Sequence, residues 1–418
     1  MTTLDPCNQF GLRNFYDAKH DMLTQLQHLG RTELVGLDQL LNRILADDVH
    51  SPIDVPSFAN SAMDGYALRA ADVSEAAHFS SQGLTLIGTS LAGHPFTGRV
   101  SEGECVRIMT GASLPLGADA VVMQEHCQVQ DSLVIVTSAV TEGQNVRYPS
   151  EDLAQGECVF KAGTRINARV LAVLSSLGLE QVYVYRPLTV ALFSTGDELK
   201  TPGQLLGPGD IYDSNRIAVR AMLERIGVKV ADYGIIKDEP DAIRHALISA
   251  ASNADAVITS GGVSVGDADY IKQILEEVGH VGFWKLAIKP GKPFAFGHIN
   301  DTAFFGLPGN PVSAAVTFHL LVRPALATLS GETLAPTVTL QAQALMDFKK
   351  SPGRMDFQRG IVSTQADGSL GVVAAGAQSS GVFSAMAEAN CLLHLEQDRG
   401  NVTAGETVSL ELIDGLYW

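Results

Sequence analysis

The chain has 418 residues, of which 46% are hydrophobic and 18% are charged, and its formal net charge is −17. This length exceeds one ordinary hydrophobic core, so we expect about two to four globular domains. The acidic balance argues against nucleic acid and against an anionic membrane surface as partners, and an anionic ligand would need local lysines or helix N-termini to overcome that field.

Cysteine usage and hydropathy indicate the compartment. The five cysteines show no Cys-x-x-Cys spacing, which argues against a zinc site and against a disulfide framework. The residues around Asp5 lack a basic region followed by an apolar run, so no signal peptide is predicted. The apolar stretch 312–329 carries His319 and Arg323 and is predicted to be a core helix rather than a membrane span. We therefore expect a cytoplasmic protein.

The first part of the chain is predicted to be helical, with a β-rich insertion. Leucines recur at helical spacing between Phe15 and Ala46, and residues 165–178 form an amphipathic helix that ends at glycine. Between them, short strands alternate with glycine and proline turns, which is typical of a small β domain. Two loops of small polar residues in the insertion contain Asp64 and Thr110. The residues alone favour an ordinary turn at Asp64.

Strands and helices alternate from residue 187, which predicts a parallel sheet with right-handed crossovers. A β-branched run at 256–260 opens into Gly261-Gly-Val-Ser-Val-Gly266, followed by a helix whose free N–H groups would face an anion. The loop is not a Walker A motif, because no Lys-Ser/Thr follows, and it lacks the Gly-x-Gly-x-x-Gly order. A plain βα turn is the alternative interpretation.

Two further loops in this region favour anions. Lys285, Lys289 and Lys292 surround a loop stiffened by prolines, and residues 307–311 lead into a long helix with Asn310 as a candidate N-cap. Because ligands of open α/β sheets bind at the carboxyl ends of the strands, three such loops favour a phosphate or oxyanion site.

Three carboxylates, Glu198, Asp238 and Asp269, are predicted on the same face as these loops. They would repel an anionic ligand unless a divalent cation stood between them, and Mg²⁺ is the usual bridge. The alternative is that each carboxylate only caps a helix.

The predicted fold class is multidomain α/β plus β. It combines a central doubly wound, mostly parallel α/β domain with an inserted β-rich domain, an N-terminal helical segment and a small C-terminal β barrel. The predicted boundaries are 13–54 with 147–186 for a discontinuous helical linker domain, 55–146 for the insertion, 187–331 for the α/β domain and 332–418 for the C-terminal domain.

Six ordered motifs resemble those of one family. They are Asn60-Ser-Ala-Met-Asp-Gly-Tyr-Ala67, Arg107-Ile-Met-Thr-Gly-Ala112, Ser194-Thr-Gly-Asp-Glu-Leu199, Ser260-Gly-Gly-Val-Ser-Val-Gly266, Lys289-Pro-Gly-Lys-Pro293 and Gly306-Leu-Pro-Gly-Asn-Pro-Val-Ser313. The chain resembles the molybdopterin molybdenumtransferases of the MoeA and gephyrin E-domain family over almost its whole length. On this resemblance the α/β domain is of the molybdopterin-binding type.

The resemblance implies a transferase of molybdenum cofactor biosynthesis. Such an enzyme inserts molybdenum from molybdate into adenylylated molybdopterin and releases AMP with the assistance of Mg²⁺. The implied catalytic residues are Asp64, Thr110, Glu198, Asp238 and Asp269, of which the last three would also hold the metal. The substrate-binding residues predicted from the loops and the resemblance are Ser194, Thr195, Gly196, Asp213, Ser214, Asn215, Gly261, Gly262, Ser264, Gly266, Lys285, Lys289, Lys292, Pro308, Gly309, Asn310 and Pro311.

The resemblance also implies an elongated homodimer. Its cleft would combine the α/β domain of one subunit with the inserted domain of the other, so Asp64 and Thr110 would act across the interface. Transient contacts with molybdopterin adenylyltransferase and with molybdoenzyme maturation proteins are expected.

One position departs from the family pattern. Ser150, in Arg147-Tyr-Pro-Ser150-Glu-Asp152, stands where the family commonly has glycine, so serine occupies a backbone angle that is easier for glycine. Two other functions stay open. One is molybdopterin adenylyltransferase activity, which is associated with the same type of α/β domain, and the other is a noncatalytic, gephyrin-like scaffold.

Overall fold

The fold was analysed in a computed structural model that describes residues 11–73, 83–261 and 270–413, with the side chains of 270–272 and 283 excepted. The chain divides into two compact units. The first comprises Met1–Ala46, Gly163–Asn167 and Gln181–Trp418, and the second comprises Asp47–Ala162 and Ala168–Glu180.

The helices of the described residues are α1 (Phe15–Thr24), α2 (Ala168–Ser176), α3 (Ser214–Arg225), α4 (Pro240–Asn253), α5 (Tyr270–Val278), α6 (Pro311–Thr317), α7 (Arg323–Ser330) and α8 (Ser384–Glu388). A π-helical turn, Phe318–Val322, joins α6 to α7. Short 3₁₀ turns lie at Leu37–Gln39, Ala70–Val73 and Gln124–His126.

The strands of the described residues are β1 (Thr32–Gly36), β2 (Val49–His50), β3 (Asn60–Ser61), β4 (Gly65–Leu68), β5 (Leu84–Ser90), β6 (Glu104–Ile108), β7 (Ala120–Met123), β8 (Cys127–Gln130), β9 (Leu133–Val136), β10 (Val146–Arg147), β11 (Cys158–Phe160), β12 (Gln181–Tyr185), β13 (Thr189–Thr195), β14 (Leu199–Lys200), β15 (Ile211–Tyr212), β16 (Lys229–Ile236), β17 (Ala256–Ser260), β18 (Gly279–Lys285), β19 (Ile288–Lys289), β20 (Pro293–Ile299), β21 (Thr302–Leu307), β22 (Thr339–Ala344), β23 (Met355–Thr364), β24 (Leu370–Ala374), β25 (Cys391–Leu395) and β26 (Thr407–Leu412).

The first unit is built around a six-stranded sheet in the order β16-β13-β17-β21-β20-β18. Strands β16, β13, β17, β21 and β18 run in one direction and β20 runs opposite to them, which confirms the predicted mostly parallel sheet. Both faces are covered. Val190 and Leu192 of β13 pack into one core, and Ala191 and Phe193 pack into the core on the other face. This two-sided burial explains why β13 is a continuous apolar run.

The carboxyl ends of the parallel strands meet at one edge of this sheet. Ser260 pairs with Ser194 on one side and with Leu307 on the other, so β13, β17 and β21 end together. The antiparallel strand β20 begins at this edge, where Pro293 pairs with Lys285 at the end of β18. The lysine loop 286–292 therefore lies at the same edge as the loops after β13 and β17.

The apolar stretch Pro311–Ser330 is a core element. Its 20 residues include an 18-residue part with a mean hydropathy of 1.5, which matches a membrane span by length and composition, but 78% of that part is buried inside the protein. This confirms the predicted core helix.

The C-terminal region forms a closed five-stranded barrel in the order β23-β24-β22-β26-β25, which closes because β25 also pairs with β23. This confirms the predicted small β barrel. The short strand β19 extends the sheet at the start of β23, where Lys289 pairs with Asp356.

The second unit contains a six-stranded sheet in the order β7-β4-β6-β5-β9-β8, in agreement with the predicted β-rich insertion. Its core is formed by Leu68, Leu84, Val122 and Val134, among others.

One prediction of secondary structure is wrong. Helix was expected throughout Phe15 to Ala46, but α1 ends at Thr24 and residues 32–36 form β1, paired with β12. The leucines that suggested a helix do not share a buried face, since Leu34 is 49% exposed and Leu41 57% exposed. Pairing with a distant strand overrides the local helical spacing.

Candidate active site

A pocket of about 150 Å³ lies at the carboxyl edge of the central sheet. It gathers the ends of β13 and β17, the loop between β21 and α6, and the start of α3. Its lining residues are Thr195, Glu198, Leu199, Ile211, Tyr212, Asp213, Ser214, Asn215, Ser260, Gly261, Gly309, Asn310 and Pro311. Most of these were predicted as site residues from the sequence, and the structure brings them together. Pro308 is buried beside them, between β21 and α6.

Asn215 joins three parts of this pocket. Its Nδ2 donates to the Oγ of Ser260 (2.9 Å) and to the carbonyl oxygen of Gly309 (2.7 Å). Its Oδ1 and the Oγ1 of Thr195 are buried and have no partner among the described residues. Because buried polar atoms normally find a hydrogen-bond partner, these two oxygens are the pocket's candidate contacts for a bound molecule.

Asp213 differs from its neighbours because its carboxylate is already engaged. It caps α3 by accepting from the backbone N–H of Arg216 (3.2 Å), and it also accepts from the Nε of Arg216 (2.7 Å) and the Oγ of Ser194 (3.0 Å). Arg216 in turn donates its Nη1 to both carboxylate oxygens of Asp232, at 2.7 and 2.6 Å. Asp213 and Ser194 were predicted to bind substrate, but their described bonds hold the end of β13 to the start of α3.

Two glycines at this edge have positive φ angles that other residues rarely adopt. Gly261 has φ +92°, and a Cβ there would lie 2.8 Å from the carbonyl oxygen of Thr195, so both the backbone angle and the packing require glycine. Gly196 has φ +142°; its Cβ would lie 2.6 Å from Oε2 of Glu198, the movable end of a side chain, so the backbone angle is the main constraint there.

Acidic side chains cluster beside the pocket. Burial, followed by repulsion from Asp197 and Glu198, raises the pKa of Asp238. The Asp238 backbone N–H donates to Oδ1 of Asp197 at 3.3 Å. Within residues 11–73, 83–261 and 270–413, no group of three His, Cys, Asp or Glu side chains has the geometry to hold a metal ion. The predicted trio includes Asp269, which lies outside the described residues.

Three glycine-loop positions predicted to bind substrate, Gly262, Ser264 and Gly266, likewise lie outside the described residues. The structure therefore describes this loop only at its first residue, Gly261.

The lysine loop has one internally paired lysine. The Nζ of Lys289 lies 3.3 Å from Oδ2 of Asp356, a buried carboxylate that also accepts from Nε2 of Gln358 at 3.0 Å. Lys285 and Lys292 are exposed and form no ion pair with any described residue. The loop thus presents two available ammonium groups and a third that Asp356 orients.

In the second unit, Asp64 and Thr110 contact each other. The backbone N–H and the Oγ1 of Thr110 both donate to Oδ1 of Asp64, at 2.7 and 2.8 Å. These two bonds, the backbone one first, hold the pKa of Asp64 below its usual range. Asp64 is exposed, so an ionised carboxylate is presented at the surface of this unit.

Sequence reasoning missed several residues of the site. Ser260 had a local signal, because it directly precedes the first glycine of the loop. Leu199, Ile211 and Tyr212 line the pocket from β14 and β15, two short strands that the pattern does not mark. Asp356 had no local signal, since its partner Lys289 is 67 residues away in the chain.

Known families match three consecutive regions that together make up most of the chain. Residues 13–178 match the MoeA N-terminal region (domain I and II), residues 191–328 match a probable molybdopterin binding domain, and residues 341–413 match the MoeA C-terminal region (domain IV). A molybdopterin molybdenumtransferase from Haemophilus influenzae is 47% identical over 94% of this chain and 97% of its own length. The chain belongs to the MoeA family. The family suggested by the six motifs is therefore confirmed, and with it the expectation of a transferase.

Other MoeA relatives are more distant but similarly complete. A molybdopterin molybdenumtransferase from Nostoc is 35% identical over 93% of this chain and 90% of its own length. The solved structure of the molybdopterin biosynthesis moeA protein from Pyrococcus horikoshii OT3 is 29% identical, with a TM-score of 0.82 over 96% of this chain and 100% of that one. The MoeA fold thus extends over nearly all of the chain.

Proposed function

We propose that this protein inserts molybdenum from molybdate into adenylylated molybdopterin and releases AMP, as a step of molybdenum cofactor biosynthesis. The observation that carries the proposal is the pocket at the sheet edge, where the buried Oγ1 of Thr195 and Oδ1 of Asn215, beside Glu198, have no hydrogen-bond partner within the described part of the chain. The family relationship supports it, since full-length relatives are named molybdopterin molybdenumtransferases.

The proposed substrate-binding residues differ in the part of the substrate that they contact. Thr195 and Asn215 accept or donate hydrogen bonds at the neutral, polar part of the substrate. Lys285, Lys289 and Lys292 attract the phosphates and the molybdate oxyanion, because an ammonium group is a compact, mobile positive charge. Ser214, Gly309, Asn310 and Pro311 shape the wall of the pocket, and Gly196 and Gly261 let the backbone approach closely.

The acidic cluster fits a divalent cation. The pKa of Asp238 is raised by burial and by the neighbouring acids, and such repulsion is relieved when a cation stands between carboxylates. Glu198 and Asp238, with Asp269 as the expected third group, would hold Mg²⁺. Bound there, the ion would neutralise charge on the phosphoanhydride.

Asp64 and Thr110 are proposed to complete the site from a second subunit of a homodimer. The exposed carboxylate of Asp64, kept ionised by Thr110, is suited to orient a water molecule or a cation. Transient contacts with molybdopterin adenylyltransferase and with molybdoenzyme maturation proteins, in the cytoplasm, complete the proposal.

The decisive experiment measures AMP release from adenylylated molybdopterin by the purified protein with Mg²⁺, with and without molybdate. Wild type should release AMP in a molybdate-dependent reaction and yield metal-loaded pterin. Thr195→Val, which keeps the shape and removes the hydroxyl, should bind and turn over substrate less well. Thr201→Val is the matched control, because Thr201 is exposed and does not line the pocket.

Two other outcomes would identify the alternative functions. Pyrophosphate release from ATP and molybdopterin would point to the adenylyltransferase. Tight pterin binding without turnover at any molybdate concentration would point to a scaffold. Helix capping does not explain the two described carboxylates, because Glu198 precedes strand β14 and the N-cap of α4 is Glu239 rather than Asp238.

A further inference from the structure

A cavity lined by four arginines lies at the amino edge of the central sheet, opposite the candidate active site. Arg43, Arg165, Arg186 and Arg323 line it, beside the segments that enter β13 and β16. Its volume of about 20 Å³ leaves room for one small ion or water molecule, since a cavity needs about 10–15 Å³ for a water. Four arginines thus line this space in a chain with a net charge of −17.

The inner part of this cavity has more positive than negative charge. Arg165 donates its Nε and Nη2 to the two carboxylate oxygens of Glu332 (2.7 and 2.6 Å), and Arg323 donates its Nη2 to the same carboxylate (2.8 Å). The Glu332 side chain is 5% exposed, against 23% for Arg165 and 13% for Arg323. One buried carboxylate thus serves two largely buried guanidinium groups.

One donor of this network lacks an acceptor. Arg165 directs its Nη1 to the carbonyl oxygens of Asn42 (2.9 Å) and Ile226 (2.8 Å), so its donors are used. The Nη1 of Arg323 is buried and has no partner among the described residues. Burial of a cationic N–H group without an acceptor is costly, so an anion or a water molecule is expected there.

A larger cleft of about 300 Å³ adjoins the cavity and shares Tyr185, Arg186, Leu188 and Ser330 with it. Its acids are already engaged: Asp255 accepts from Arg31 and from the backbone N–H of Thr189, and Glu33 pairs with Arg43.

Two cations at this cleft are available. Arg186 and Lys229 are exposed and form no ion pair with any residue in the described part of the chain. The cleft is therefore a positively charged approach to the inner cavity, and low-dielectric walls strengthen such a local field.

We propose that a small inorganic anion binds where this arginine-lined cavity opens into the larger cleft, held by Arg323 and Arg186. The planar guanidinium groups suit an oxyanion, because they can donate two parallel hydrogen bonds to it. The bound anion balances the excess positive charge and ties the segment between β12 and β13, which carries Arg186, to the start of α7, which carries Arg323. This site is separate from the active-site pocket and does not depend on the proposed reaction.

Inorganic phosphate is the probe that tests the proposal, by calorimetric titration and by thermal unfolding at constant ionic strength. Wild type should bind phosphate and unfold at a temperature that rises with phosphate concentration. Arg186→Gln should weaken phosphate binding by about tenfold, since it removes a charge-assisted contact. Arg99→Gln is the matched control, because it removes an exposed arginine of the second unit and should leave binding unchanged.

Two further variants keep the outcome decisive. Lys292→Gln alters the active-site loop and should leave this phosphate binding in place. Arg323→Gln should abolish the rise in unfolding temperature with phosphate even if it lowers the starting temperature, because the rise reports binding rather than fold stability. The proposal is overturned if wild type shows no phosphate binding, or if Lys292→Gln removes the binding while Arg186→Gln and Arg323→Gln retain it.

Discussion

Asp213→Ala tests whether this carboxylate supports the fold or contacts the substrate. Asp213 is 2% exposed and accepts hydrogen bonds from the Oγ of Ser194 and from the backbone N–H and Nε of Arg216. These bonds join the end of β13 to the first turn of α3, which also carries Asn215 of the pocket. Loss of the carboxylate should therefore loosen the start of α3.

The expected decrease in the free energy of unfolding follows from three interactions that Asp213→Ala removes. Removal of an N-cap costs about 1 kcal/mol. Removal of one partner of a buried ion pair costs about 3–5 kcal/mol, and the lower end applies because Arg216 keeps both bonds to Asp232. The hydroxyl of Ser194 loses its acceptor, at about 1 kcal/mol. We expect Asp213→Ala to destabilise the first unit by about 3–5 kcal/mol, and Asp213→Asn by less, because the amide oxygen can still cap α3.

Thermal unfolding and hydrogen exchange of the α3 amides measure this effect. Both should change in the order wild type, Asp213→Asn, Asp213→Ala. Asp241→Ala is the control, because Asp241 lies in the first turn of α4 with its side chain 88% exposed. If Asp213→Ala unfolds like wild type and loses only substrate affinity, the carboxylate contacts the ligand and does not support the fold.

Three further predictions concern single positions. The raised pKa of Asp238 means that the folded state binds the Asp238 proton more tightly than the unfolded state. The free energy of unfolding should therefore fall as the pH rises from about 4, the unfolded pKa, through the raised folded pKa. Asp238→Asn should remove that fall in thermal unfolding measured across this pH range. Gly261→Ala should abolish AMP release, because its Cβ would lie 2.8 Å from the carbonyl oxygen of Thr195 at φ +92°, whereas Gly400→Ala, with open space around it, should not. Ser150→Gly should give the second unit a higher unfolding temperature than Ser150→Ala, because φ +66° costs a non-glycine residue about 1–2 kcal/mol and the entropy of glycine offsets only part of this, while both variants lose the hydrogen bond from the Ser150 side chain to Asp54.

Much of the central domain could be predicted from the sequence because its signals are local. The apolar strand β17 followed by Gly261 predicts a buried parallel strand that ends in a turn. Once several such strands are placed in one parallel sheet, their loops must meet at one edge. The left-handed angle at Ser150, φ +66°, was likewise expected from the family pattern alone.

The errors and omissions arise where distant residues decide the structure. Leucines between Phe15 and Ala46 suggested helix, but pairing between β1 and β12 makes residues 32–36 a strand. Asp356 was overlooked because its role depends on pairing between β19 and β23, which brings it to Lys289. No local sequence pattern predicts such pairings, since they join strands that are far apart in the chain.

Within the pocket, residues whose polar atoms already have hydrogen-bond partners support the structure, and residues whose polar atoms lack them are the candidates for ligand binding. Asp213 and Ser194 use their oxygens on each other and on Arg216, so their contribution to a ligand is indirect. Thr195 and Asn215 have buried oxygens without a partner in the described residues. Yet Thr195 directly follows Ser194, and Asn215 directly precedes Arg216. Adjacent residues of one motif thus have different tasks, because a strand alternates its side chains and a helix start rotates them. A motif match cannot make this distinction, whereas the hydrogen-bond partners of each atom do.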